Sequence, residues 1–128
     1  MAADLKQATD SFYSALGAIL AGDVEPMSRV WSHADDVTYM SPFGELLVGW
    51  DATKVSWQAQ ADQGLGGQVN PEELQFFDDG QLGVVVGLER GHITIDGADQ
   101  PLEIRATSTW RLEDGEWKMI GHHTDPVS

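Results

Sequence analysis

Five side chains near the end of the chain are of the types that do acid–base and oxyanion chemistry: Arg105, Thr107, Thr109, His122 and His123. They lie in LEIRATSTWRLEDGEWKMIGHHTD, residues 102–125. Alternation puts Arg105, Thr107, Thr109 and Arg111 on one face of a strand, and Leu102, Ile104, Ala106, Ser108, Trp110 and Leu112 on the other. The turn Glu113-Asp114-Gly115-Glu116 returns the chain as a second strand, since Asp-Gly supplies the positive φ values of a tight hairpin. If the Arg105 face is concave, a guanidinium, two hydroxyls and one imidazole share a pocket. The guanidinium would bind a carboxylate or polarise a carbonyl oxygen, and the imidazole would serve as a general base near neutral pH. His122 and His123 point to opposite faces, so one of the two enters the pocket. The competing reading pairs Arg105 with Glu103 or Asp125 and makes the histidine structural.

Those residues need walls. Trp31, Tyr39, Phe43, Trp57 and Met119 are candidates for an apolar lining, with core packing the alternative for each. Tyr39 and Trp57 have polar tips that a wet pocket would satisfy. His33 and His92 stand apart from the other histidines and no metal-ligand spacing occurs, so no metal and no cofactor are expected. Gly64-Leu65-Gly66-Gly67 lacks the Lys and Ser/Thr of a phosphate loop and reads as a flexible connection.

Composition sets the class. The chain has 128 residues and 41% hydrophobic content, which suits one globular domain, 1–128. The net charge of −14 repels a phosphate backbone, so nucleic acid is not an expected partner. No run of apolar residues is long enough for a membrane span, and MAADLKQATD lacks the basic start and apolar centre of a secretory signal. With no cysteine, the chain has neither disulfide nor thiolate chemistry, which is compatible with a cytoplasmic setting.

The elements follow from spacing. Leu5, Ala8, Phe12, Leu16, Ile19 and Leu20 predict an amphipathic helix over 4–21. A short helix is expected over 25–33, opened by Pro26. Val37–Ser41 and Glu45–Val48 read as short strands around Pro42-Phe43-Gly44, and Asp51 as the cap of a third helix ending near Gln63. Strands are expected near 73–79 and over Gln81 to Ile95, where Gly83, Gly87 and Gly91 suggest bulges or bends. Helices first and antiparallel strands last predict an α+β fold, helices on one face of a strongly curved sheet, with a cone-shaped cavity between them.

This order resembles the nuclear transport factor 2-like superfamily, and within it the SnoaL-like and ketosteroid-isomerase-like proteins. The segments LAGDVEPMSRVWSHADDVTYMSPFGELLVGWDA and RATSTWRLEDGEWKMIGHH carry the resemblance, which covers nearly the whole chain. It implies a pocket inside a cone and frequent dimerisation through the outer sheet face. It names no single reaction. The isomerases have an Asp base, a Tyr donor and a protonated Asp donor at positions that align here with Ser41, Ala15 and Thr107. Steroid isomerisation of the usual kind is therefore rejected. Ser41 remains a pocket position on this alignment, and His122 is the histidine it turns inward. Limonene-epoxide-hydrolase-like members have an Arg-x-Asp motif of which only Arg105 is kept.

Three functions stay open. The first is a homodimeric protein binding a small, mostly apolar ligand with an acidic or carbonyl oxygen, held by Trp31, Tyr39, Ser41, Trp57, Arg105, Thr107, Thr109 and His122. The second is an isomerase, lyase or hydrolase with His122 or His123 as base and Arg105 stabilising the oxyanion. The third is a non-catalytic oligomerisation module. If Arg105 faces the cavity, the Trp110 face of the strand is left outside, where it is expected to form a homodimer interface.

Overall fold

Helix α1, Leu5–Leu20, begins at Asp4, whose carboxylate accepts the Gln7 amide at 2.7 Å. The structure, a computed structural model, describes residues 4–42 and 44–127; the lining role expected of Phe43 lies outside them. Helix α2, Glu25–Val30, has Pro26 in its first turn and stops at Trp31, short of the expected residue 33. Strands β1, Thr38–Met40, and β2, Leu46–Val48, pair antiparallel. Helix α3, Trp50–Gln63, follows Gly49 and not an Asp51 cap. Gly49 holds φ 89, and a Cβ there would meet the Asp35 carbonyl at 3.4 Å, so glycine suits this close junction. The buried stripe of α3 is Trp50, Thr53, Trp57 and Ala61, which leaves Val55 in solvent.

The remaining chain is a meander: β3 Gly67–Asp78, β4 Leu82–Ile95, β5 Ala98–Glu113 and β6 Glu116–Pro126. The turns Asp96-Gly97 and Asp114-Gly115 have φ of 52 and 80, and of 51 and 80, the two positive values of a type I′ hairpin. The six strands lie in the order β2-β1-β6-β5-β4-β3 as one curved, unclosed sheet, with β1 parallel to β6. β3 is longer than expected because Pro71 sits on an edge strand, where its missing N–H costs little. One register shift falls in β3 between Glu72 and Gln75 and another between β5 and β6 at Thr109 and Trp110, while β4 pairs with β5 unbroken past Gly83, Gly87 and Gly91. Those glycines mark close approach instead: a Cβ on Gly87 would meet Leu74 Cδ2 at 2.5 Å.

The helices cover the face of β5 that carries Ile104, Ala106, Ser108 and Trp110, all buried. This reverses the expected orientation. Trp110 is 1% exposed and belongs to the core with Phe12, Ala15, Met27, Trp31 and Met119. Arg105 and Thr107 are exposed and Thr109 half-buried on the outer face, and Arg105 pairs there with Asp125. The physical reason is a difference in burial free energy. An indole removes about 200 Å² of surface from water at about 25 cal/mol per Å², whereas enclosing a guanidinium costs several kcal/mol per ion before any partner is found. The outer face therefore does not offer Trp110 to a dimer.

Candidate functional site

A cavity of about 460 Å³ opens between α1, α3, the end of β1 and the concave face of β4, β5 and β6. Its walls are mainly apolar: Phe12, Leu16 and Leu20 from α1, Trp57 from α3, Ile93 from β4, and Leu102 and Ile104 from β5. Tyr39 stacks on Trp57 with ring centroids 4.7 Å apart and an interplanar angle of 21°. Into these walls the sheet inserts two ionisable groups, Glu89 of β4 and His122 of β6. Glu89 shares the inward parity of Val85, two pleats along the strand.

The two form one connected network. His122 Nε2 donates to Glu89 Oε2 at 3.0 Å, and Tyr13 of α1 donates its hydroxyl to the same oxygen at 2.8 Å. His122 Nδ1 lies 3.0 Å from Ser108 Oγ, which donates to a neutral ring and accepts from a charged one. Phe12 packs on the His122 ring at 4.5 Å between centroids. Both ring nitrogens are thus engaged, while Glu89 Oε1 has no hydrogen-bond partner among the described residues. Burial pushes the Glu89 carboxyl up, but the His122 charge and the hydrogen bonds from His122 and Tyr13 outweigh it and hold Glu89 below the usual glutamate range. Burial, and then the Glu89 charge, push the Tyr13 phenol well up, so it stays a donor. Burial likewise raises Tyr39. The Tyr39 hydroxyl accepts from Gln60 Nε2 at 3.1 Å, which leaves its own proton for another acceptor.

Of the residues expected at the site, Tyr39, Ser41, Trp57 and His122 border this cavity. Arg105, Thr107 and Thr109 do not, being on the other side of the sheet. Trp31 is core: it packs against Tyr39, Trp50 and Trp57 and is not part of the wall. Met119 is likewise fully buried. His123 faces outward, half-buried, with Nε2 2.8 Å from Thr38 Oγ1; burial, and then the neighbouring His122, lower its pKa. The indole Nε1 of Trp57 is buried without a partner, so its polar tip is not the wet one expected.

Glu89, Tyr13, Ser108 and Gln60 were not evident from sequence. For Glu89 the signal was parity, an acid at an inward position of a strand with Val85. Tyr13, two residues before the Ala15 that aligns with the isomerase tyrosine, donates to Glu89, and Ala15 is packed in the core. A second concavity, of about 510 Å³, lies between α1, α2 and the β5–β6 turn. Its cations are already engaged, Arg29 with Glu25 and Lys118 with the Arg29 carbonyl.

The sequence pattern of the SnoaL-like domain matches residues 5–126. No curated protein matches the chain. Among solved structures, a proposed dehydratase of the NTF2-like family from Streptomyces avermitilis is 22% identical, with a TM-score of 0.85 over 97% of this chain and 94% of that one. A proposed ketosteroid isomerase from Shewanella frigidimarina is 15% identical, with a TM-score of 0.74 over 93% and 92%. The CamKII hub homology domain of Chlamydamonas reinhardtii is 20% identical, with a TM-score of 0.71 over 96% and 97%. At such identities these structures share the fold, and their differing descriptions fit a scaffold with several uses. With its helices on one face of a six-stranded open sheet and a family match over nearly its full length, the chain belongs to the SnoaL-like domain family.

Proposed function

We propose that this protein binds a small, mostly apolar molecule in the cavity between α1, α3 and the concave sheet, with the Glu89–His122 pair meeting the polar end of the ligand. One observation carries this: a carboxylate and an imidazole, 5% and 3% exposed, border an otherwise apolar cavity. A buried ion pair adds little stability over apolar packing, so its place at a cavity wall is best accounted for by what it binds. A fragment screen read by the methyl shifts of Ile93 and Ile104 tests it. Hits should be lost in Ile104→Trp, which fills the cavity; hits that persist there sink the reading.

A second reading, proton transfer of the isomerase or lyase type, is favoured by the free oxygen of Glu89. Neither histidine is the base in this reading, since both nitrogens of His122 are engaged and His123 faces outward. Glu89 Oε1 takes the proton and the Tyr39 hydroxyl supports the oxyanion, in place of Arg105. Deuterium wash-in next to a ketone carbonyl, absent in Glu89→Gln, is the measurement. Association is proposed through the outer sheet face. There Phe77 and Leu82 are exposed beside Val84, which pairs with Phe77 on one side and Thr109 on the other, and the hub-domain neighbour fits such a role. Sedimentation at micromolar concentration should show a homodimer that Val84→Glu dissociates.

A further inference from the structure

The charge lining the cavity decides which ligands it admits. Among the described residues that border it there is one acid, Glu89, one histidine, His122, and no lysine or arginine. Arg105, the cation expected there, lies behind the sheet on Asp125. The sum of these charges is negative with a neutral His122 and zero with a charged one. It is not positive while Glu89 is ionised. A carboxylate or phosphate entering the cavity would lose water and meet a fixed carboxylate in return.

Two of the polar groups that border the cavity are held in place with one hydrogen-bonding site open. Glu89 Oε2 already accepts from Tyr13 and His122, which fixes the carboxylate and leaves Oε1 open for a donor. The Tyr39 hydroxyl already accepts from Gln60, which leaves its proton open for an acceptor. Both residues border the same cavity, with the Trp57 ring stacked against Tyr39 as an apolar wall.

We propose that the cavity selects uncharged molecules that carry one hydroxyl or N–H donor for Glu89 and one carbonyl or ether oxygen for Tyr39, and that it excludes anions. This rests on the pocket reading above and gives it a ligand class. Discrimination is strong for a physical reason. A ligand without the donor leaves a carboxylate oxygen dry and unpaired, a larger loss than one missing methylene.

Three probes of nearly equal shape separate the terms: para-hydroxymethylacetophenone, with donor and acceptor; para-methylacetophenone, without the donor; and para-hydroxymethylbenzoate, the anion. They are titrated into the unmodified protein near neutral pH, followed by the Ile93 and Ile104 methyl shifts. The alcohol-ketone should bind about tenfold or more tightly than either other probe. Tyr39→Phe should weaken it severalfold, and Glu89→Gln should narrow its advantage over the benzoate. The benzoate or the methyl analogue binding equally well at the same methyls overturns this inference and leaves the pocket reading standing. If none of the three moves Ile93 or Ile104, both fall. The comparison on the unmodified protein decides the matter even where a variant fails to fold.

Discussion

His122 Nε2 and Glu89 Oε2 lie 3.0 Å apart, and both side chains are more than nine-tenths buried. They are brought together by two strands with β5 between them, and Ser108 of β5 holds the far nitrogen of the ring. Tyr13 ties the same carboxylate to α1, so one oxygen links both layers of the fold. The network is therefore structural and chemical at once, and its parts are separable by mutation.

Removing the acid should be costly. Glu89→Ala strips the partner from a buried histidine and a half-buried tyrosine, a loss of about 3–5 kcal/mol. Glu89→Gln keeps an acceptor and should lose less, about 1–3 kcal/mol. Urea unfolding of both variants checks the order; an Ala variant no weaker than the Gln variant contradicts the network.

Acid should destabilise the protein partly through Glu89. Its folded pKa is held below the ordinary value, by the His122 charge and the two hydrogen bonds prevailing over burial. A group depressed in this way contributes stability above its unfolded pKa of about 4.3 and loses it as pH falls through the folded value. Asp36, Asp79 and Asp125 are lowered too, each chiefly by hydrogen bonds, so the diagnostic is a difference. The unfolding midpoint should drop less between neutral pH and pH below about 4 in Glu89→Gln than in the parent.

Neighbours on β5 should behave oppositely. Arg105→Leu removes an exposed pair on the convex side and should leave the probe affinities unchanged. Ser108→Val takes the partner from buried His122 Nδ1 and should cost about 1–3 kcal/mol. Loss of probe binding in the Arg105 variant would place that side chain in the pocket and refute the observed orientation.

Phe12 is the packing counterpart of the polar network. It is fully buried, 4.5 Å from the His122 ring and 6.2 Å from Trp57 between centroids. Phe12→Ala should cost about 3–5 kcal/mol, and calorimetry gives the value. The same variant enlarges the cavity, so it should also weaken binding of a small aromatic probe.

Much of the fold was legible in local pattern. The spacing of Leu5, Phe12 and Ile19 gave α1, Asp114-Gly115 marked the β5–β6 hairpin, and the run of helices before strands pointed to an α+β cone. These features depend on near neighbours in sequence, whose propensities act over a few residues. The alternation along β5 was also plain, since Arg105, Thr107 and Thr109 do share a face. Which face is concave was not a local matter. It follows from the burial of Trp110 against α1 and α2, weighed against the desolvation of Arg105.

The site itself lay beyond the sequence. Glu89 is separated by 76 residues from Tyr13 and by 33 from His122. A glutamate is buried only when donors surround it, and no spacing rule announces donors on a helix and on a strand two places away in the sheet. The residues alone supplied the types, an acid, an imidazole, a phenol and a hydroxyl. Only the closing of the helices over the curved sheet put them within hydrogen-bond reach, because burial makes each of them require the others.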